Sequence, residues 1–97
     1  MNVTWPAGRG PYVHTGEDLL RWARSQLQIA YDIVDNPGGG LVFATQTIGQ
    51  VRAALTEQDE DRWREVEQLL FEAEDAAVRR RFERTRQLVE EASEKLR

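Results

Sequence analysis

The side chains that could take part in acid–base chemistry are few and scattered. His14 is the only histidine, and it is followed closely by Thr15, Glu17 and Asp18. A catalytic histidine needs a nucleophile or an orienting acid beside it. These three neighbours are better explained as the cap and the acidic first turn of a helix. The sequence therefore predicts a structural or surface role for His14.

Carboxylates are numerous, but their spacing is that of a solvated helix face. A carboxylate site on a helical bundle would need the acids Glu67, Glu72, Glu74 and Asp75. There is no cysteine, and no His-Glu-x-x-His or Glu-x-x-His motif that would indicate zinc or a di-iron centre. The sequence therefore predicts no metal and no cofactor. Asp32 and Asp35 are expected to be solvated or to pair with an arginine such as Arg52.

An enzyme is the third and weakest hypothesis. Small helical lyases and mutases use buried arginines, and Arg21, Arg24 and Arg52 could serve in this way. No spacing in the chain orders these three side chains into one site. The sequence therefore predicts no catalytic residue, and the protein is not expected to be an enzyme.

One dense basic patch occurs, and it consists of Arg79, Arg80, Arg81, Arg84 and Arg86. Such a patch can contact phosphates, with an affinity that falls steeply as salt rises. Glu83 interrupts it, and the net charge of the chain is −4, which disfavours nucleic-acid binding through bulk charge. We interpret the arginines as electrostatic contacts to a protein partner, with nucleic-acid binding as the alternative.

Residues 57–97 contain neither glycine nor proline and are rich in helix-forming residues. Thr56 is a suitable N-cap, and Lys95 and Arg97 complement the dipole at the other end. The pattern predicts one long third helix over residues 57–97. At 1.5 Å per residue it would be roughly 60 Å long, far longer than a compact domain of this size.

Two heptad-type sets of apolar positions follow each other along this helix. The first is Trp63, Val66, Leu70, Ala73 and Ala77, and the second is Val78, Phe82, Thr85, Val89, Ala92 and Leu96. The second set is displaced by one residue, which is roughly 100° of helix rotation. We therefore expect the helix to project from the bundle or to bend near residues 77–81.

The second set predicts an interface, because a projecting helix would leave these six residues uncovered by their own chain. Charge would set the orientation of the partner. Residues 57–75 hold nine acids and two arginines, whereas residues 76–97 hold seven bases and four acids. An antiparallel pair of such helices would place acid against base. A homo-oligomer or another protein is the expected partner.

The first half of the chain predicts an irregular arm and two shorter helices. Residues 1–14 contain Pro6 and Pro11 among glycines, so they cannot form a helix. They form either an arm anchored by Trp5 and Tyr12 or an exposed recognition peptide. Helix 1 is expected over residues 16–35, up to the Asn-Pro-Gly-Gly-Gly stop, and helix 2 over residues 41–55. Gly49, within helix 2, suggests close approach of a neighbouring helix.

The predicted architecture is a single all-α domain over residues 1–97. It is an antiparallel three-helix bundle with a long C-terminal helix, preceded by the irregular arm. No apolar run is long enough to cross a membrane, and no signal peptide is evident. We expect a cytoplasmic adaptor or assembly protein that binds through the second half of its last helix. The alternative is a nucleic-acid-binding regulator that uses the basic patch.

Overall fold

Four α-helices form the part of the chain that the structure, a computed structural model, describes, which is residues 16–97. They are α1 (Gly16–Ile33), α2 (Gly40–Gln58), α3 (Arg64–Val78) and α4 (Phe82–Glu94). The prediction of an all-α fold is confirmed. The prediction of three helices with a long last one is not, because the expected third helix is divided into α3 and α4. The arm at residues 1–14, with Trp5, Tyr12 and His14, lies outside the described residues.

The helices pack in a ring. Each helix packs against the next along the chain, and α4 returns to pack against α1. Short connections make sequential neighbours antiparallel. The Cα radius of gyration is 13.2 Å, close to the value of about 13 Å expected for a domain of this length. The last helix therefore does not project from the bundle.

The connection between α1 and α2 depends on three consecutive glycines. Gly38 and Gly39 have φ angles of 81° and 105°, a region that side chains disfavour. Gly40 opens α2 at a tight contact, since a Cβ atom there would lie 2.1 Å from the carbonyl oxygen of Ile33. The predicted stop is thus present, with α1 ending two residues earlier than expected.

The second connection lies where the sequence predicted the start of a long helix. Helix α2 includes Thr56 and continues to Gln58, so Thr56 is not an N-cap. Asp59 then takes an extended conformation, and its Oδ1 atom accepts a hydrogen bond of 3.1 Å from the backbone N–H of Arg62. The indole N–H of Trp63 donates to the side-chain oxygen of Gln58 at 2.8 Å. These contacts hold a turn over residues 59–63.

The third connection reverses the chain without a glycine. Arg80 adopts a left-handed φ of 60°. Its N–H donates to the carbonyl of Ala77 at 2.9 Å, and the N–H of Arg81 donates to the carbonyl of Ala76 at 2.8 Å. This pair of bonds is the Schellman arrangement that ends many helices, usually with glycine at the left-handed position. The bend expected near residues 77–81 is therefore a complete helix end.

The reversal corrects the premise of the predicted interface. Thr85, Val89, Ala92 and Leu96 are buried within the chain's own core, together with Leu88. Because α4 packs against both α3 and α1, its apolar positions are covered without a partner. The argument that these residues need a second protein therefore no longer applies.

The two ends of the predicted interface differ from its centre. Phe82 is partly buried and packs against the core. Val78, at the end of α3, is 67% exposed. Of the six predicted interface residues, Val78 is the one that the fold leaves widely open.

Candidate protein-binding face

Arg24 and Arg86 cap the ends of each other's helices. The side chain of Arg24, in α1, donates to the carbonyl of Leu96 beyond the end of α4, at 2.8 Å. Arg86, in α4, donates to the carbonyl of Tyr31 near the end of α1, at 3.1 Å. The last carbonyls of a helix lack intrahelical partners, and its C-terminus favours cations. These contacts therefore fasten α1 to α4 at both ends.

Arg86 also forms an ion pair with Asp35, which lies just beyond the C-terminus of α1, where the helix dipole disfavours an acid. Its Nη2 atom lies 2.7 Å from Oδ1 of Asp35, and the Arg86 side chain is only 20% exposed. Asp35 thus pairs with Arg86, and not with Arg52 as the sequence suggested. Asp32 accepts a hydrogen bond from Gln28. Arg86 is consequently a structural residue and is not available to a ligand.

The remaining arginines of the basic patch have different surroundings. Arg79 pairs with Asp75 at 3.1 Å, and Arg84 donates to the side-chain oxygen of Gln87 at 3.1 Å. Arg80 and Arg81 are exposed and have no ion-pair partner among residues 16–97. The five predicted contact residues are therefore not one continuous free surface.

A cluster of ion pairs lies between α2 and α3, and the sequence did not predict it. Arg52 lies between two glutamates, with Nε 2.7 Å from Glu74 Oε2 and Nη1 3.0 Å from Glu67 Oε2. Burial lowers the pKa of Arg52, but the hydrogen bonds and charges of Glu67 and Glu74 outweigh this effect and raise it above the ordinary value. A raised pKa keeps the guanidinium charged, so its contribution to stability is lost only at strongly alkaline pH. Arg52 therefore links α2 to α3 at any physiological pH.

The acids and arginines considered for chemistry do not converge. Arg21 pairs with Asp18 on the surface of α1, Arg24 caps α4, and Arg52 is held by the glutamates of α3. Glu72 accepts a hydrogen bond from Gln68. Within residues 16–97, no three acidic or histidine side chains form a group that could hold a metal ion. The fold thus does not assemble a catalytic centre from these candidates.

The distinctive surface of the described chain is the outward side of α2, which we call the α2 face. Its residues share exposure and lack of charge, and they are Val42, Phe43, Gln46, Gln50 and Ala53. Every exposed position between residues 40 and 56 belongs to this set. Val42 is 58% and Phe43 is 64% exposed. A helix without a charged side is typical of one that is covered on all sides.

Exposed apolar side chains also occur on both helices that pack against α2. Ile29 of α1 is exposed, as are Phe71 and Val78 of α3. The Phe71 ring lies 5.5 Å from the guanidinium carbon of Arg52, so it lies at the edge of α3 nearest α2. Val78 is seven residues further on and therefore shares that edge. The five large exposed apolar side chains of residues 16–97 thus lie on α1, α2 and α3.

The sequence contained a signal for the α2 face, although periodicity did not reveal it. Arg52 is the only charged residue between positions 40 and 56, and it forms ion pairs with two glutamates of α3. The spacing of Leu41, Ala44, Ile48 and Val51 identified the buried side of the helix. The absence of charge on the opposite side was the feature that distinguished α2 from the other helices.

Comparison with known protein families, with curated proteins and with solved structures finds no match to this chain. Within the described residues, no helix is both long and apolar enough to cross a lipid bilayer.

Proposed function

We propose that this protein is a small helical adaptor or assembly protein that binds a protein partner through the α2 face. The observation that carries the proposal is the uncharged outward side of α2, with Val42 and Phe43 more than half exposed. Isolated apolar residues on a surface are common, whereas contiguous apolar patches indicate binding sites. The predicted interface on α4 is thereby replaced by one on α2.

The composition of the face supports a protein partner. Protein interfaces are depleted of charge at their centre and enriched in aromatic residues. The α2 face has an aromatic side chain, Phe43, beside glutamines that can form hydrogen bonds. Charged residues lie around it, including Arg80 and Arg81 near one end and Glu57 and Glu60 near the other. An uncharged area surrounded by a charged rim is the usual arrangement of such a site.

Nucleic-acid binding is the second candidate, and the exposed, unpaired Arg80 and Arg81 favour it. Against it, Arg86 is used as a helix cap and Arg79 is paired with Asp75. Two free guanidinium groups would give few phosphate contacts and weak, strongly salt-dependent binding. An Arg80→Glu/Arg81→Glu variant that loses RNA or DNA retention at low salt would favour this candidate. No retention by the wild-type protein would exclude it.

The proposed function is tested by replacing the apolar side chains of the face. Val42→Asp/Phe43→Asp should remain folded, because both side chains are exposed, but should lose binding to any protein that the wild type retains. The matched control is Ser25→Asp/Gln87→Asp, which adds the same two negative charges at exposed positions of α1 and α4. Immobilised wild type, variant and control are compared against purified copies of the chain and against cell extract. Equal retention by wild type and α2 variant would contradict the proposal.

A further inference from the structure

We infer that the partner of the α2 face is a second copy of this chain, with the two α2 helices packed antiparallel across a two-fold axis near Gly49. This inference rests on the proposed function, since it names the occupant of the same face. Three independent observations support it: a glycine that its contacts within residues 16–97 do not require, the lack of charge, and the distribution of charge at the two ends of α2.

Gly49 is the first observation. It is the central residue of α2, which spans Gly40–Gln58, and glycine destabilises a helix interior by roughly 0.5–1 kcal/mol relative to alanine. The nearest atoms that a Cβ atom at position 49 would meet belong to the carboxylate of Glu74, at 3.6 Å, which is an ordinary contact. These contacts within residues 16–97 therefore do not require glycine here. Close approach of another backbone is a usual reason for one.

The position of Gly49 on the helix agrees with this interpretation. A 4-3-4-3 line along α2 joins the exposed residues Val42, Gln46 and Ala53 with the half-buried Gly49 and Thr56, and Gly49 borders α3 through Glu74. Small residues at the centre of this line, with a larger one at its start, allow two helices to cross closely at their midpoints. An antiparallel pair centred on Gly49 places Val42 of each copy opposite Thr56 of the other.

The lack of charge is the second observation. In a two-fold contact the same surface is present on both sides, so a residue near the axis meets its own symmetry mate. A charged side chain near the axis would therefore face a like charge. No residue of this line is charged, and Arg52, at the side of the helix, is paired with Glu67 and Glu74, so that these three side chains together carry a net charge of −1. The exposed residues of the α2 face are thus compatible with their own symmetry mates.

The ends of α2 carry opposite charge, which is the third observation. Because α3 runs antiparallel to α2, residues 79–81 lie beside the start of α2, and all three are exposed arginines. The end of α2 and the following turn carry Glu57, Asp59, Glu60 and Asp61, all exposed. An antiparallel pair brings the basic end of each copy to the acidic end of the other. A parallel pair would oppose like charges at both ends.

Unused charges are available at both ends. Among residues 16–97, Arg80 and Arg81 have no ion-pair partner, and neither have Glu57 and Glu60. Asp61, by contrast, pairs with Arg64 within the chain. The two free arginines of one copy and the two free glutamates of the other are therefore the expected contacts, formed twice in the dimer.

The test uses two charge-reversed forms of the full chain, Arg80→Glu/Arg81→Glu and Glu57→Arg/Glu60→Arg. Each variant alone would oppose like charges at both ends of the pair, so each should self-associate about tenfold or more weakly than the wild type. A mixture of the two restores opposite charges at both ends and should pair as tightly as the wild type. Sedimentation equilibrium measures each form, and native mass spectrometry identifies the mixed dimer.

The controls distinguish this inference from the proposed function. Arg84→Glu/Arg97→Glu carries the same change of charge on α4 and at the C-terminus and should dimerise as the wild type does. If the wild type is monomeric at all concentrations, the inference that a second copy is the partner is overturned. The proposed function is then decided separately, by the retention experiment with the Val42→Asp/Phe43→Asp variant. Dimerisation without recovery in the mixture overturns the antiparallel arrangement. Undiminished dimerisation of Val42→Asp/Phe43→Asp contradicts the α2 face itself.

Gly49→Ala provides a second test. If Gly49 lies at the dimer axis, the substitution should stabilise the monomer and weaken the dimer, a combination that a role of Gly49 within the single chain would not produce. The added methyl group improves helix propensity, so unfolding in dilute solution should require more denaturant. The same group crowds the crossing point, so the dimer dissociation constant should rise about fivefold or more. Higher stability together with unchanged dimerisation would overturn the placement of Gly49 at the axis.

Discussion

Helices α2 and α4 have similar buried sides and opposite exposed sides. Both place leucine, valine and alanine in the common core. The exposed positions of α4 are charged or amide residues, namely Glu83, Arg84, Gln87, Glu90, Glu91 and Glu94, whereas those of α2 between residues 40 and 56 carry no charge. The buried side of a helix thus accounts for its place in the bundle. The exposed side distinguishes a helix adapted to water from one adapted to a partner.

The comparison also shows why an apolar stripe is weak evidence for an interface. The stripe of α4 is strongly periodic, but the chain reverses at residues 79–81 and covers it with α1 and α3. The exposed apolar residues of α2 have no comparable cover among residues 16–97. Their weaker periodicity made them less conspicuous in the sequence.

The largest expected effect comes from placing a charge on each of these two helices. Val89→Asp would bury a carboxylate in the core and should lower the free energy of unfolding by about 4 kcal/mol or more. This loss is a large part of the total stability of a small domain. Phe43→Asp, on the α2 face, should change stability by no more than about 0.5 kcal/mol. The two variants are compared by chemical denaturation at protein concentrations below the dissociation constant of the dimer. Similar losses of stability would contradict the distinction between α4 and α2.

Two glycines within α2 should respond in opposite directions. Gly40→Ala would place Cβ against the carbonyl oxygen of Ile33 and should destabilise the fold by about 2–3 kcal/mol. Gly49→Ala meets only ordinary contact with Glu74 and should stabilise the single chain by up to about 1 kcal/mol. Thermal unfolding of dilute samples measures both changes. A destabilising Gly49→Ala would mean that the single chain itself requires this glycine.

The attachment of α4 to α1 can be weakened at Arg86. Arg86→Ala removes the hydrogen bond to the Tyr31 carbonyl and the ion pair with Asp35, so a loss of about 2 kcal/mol is expected. Arg84→Ala, also on α4 but exposed, should change stability by less than about 0.5 kcal/mol. Urea denaturation measures both changes in stability. Relative to the wild type, backbone hydrogen exchange in Arg86→Ala should increase most at the end of α1. Equal effects of the two substitutions would show that Arg86 is an ordinary surface residue.

The smallest expected effect concerns the turn that brings α4 back to the bundle. Arg80 has a left-handed φ of 60°, a conformation that disfavours residues with a Cβ atom by roughly 1–2 kcal/mol. Arg80→Gly relieves this strain but increases the conformational entropy of the unfolded chain. A net stabilisation of about 0.5–1 kcal/mol is therefore expected. Arg79→Gly, where φ is −85°, should be destabilising instead. The same sign for both in calorimetry would argue against strain at Arg80.

Several features of the fold followed from local sequence. Helix α1 and the glycine stop at residues 38–40 were predicted nearly as they occur, because glycine chemistry acts within a few residues. The displacement of the apolar pattern at Ala77 and Val78 located the end of α3. The Asp59 turn was missed, since a sequence rich in helix formers hides a side chain that competes for backbone hydrogen bonds.

The candidate face was only partly predictable. Val78 was named from its spacing and lies on the exposed edge of α3, whereas the other five predicted interface residues are buried in the chain's own core or pack against it. Whether an apolar residue is exposed depends on which helices pack beside it. A helical period gives the direction of a side chain around its own axis but not the neighbour in that direction.

The sequence by itself determined the helical class, the glycine-dependent connection and the opposite charges of residues 57–61 and 79–81, because each depends on residue type and short-range spacing. Only the tertiary structure decided that α4 returns to α1, that Arg24 and Arg86 cap each other's helices, and that no other helix of residues 16–97 covers the α2 face. These features join residues more than 50 positions apart, such as Arg86 with Tyr31 and Arg24 with Leu96. Contacts of this kind depend on a chain reversal at Arg80, where no glycine or proline indicates it.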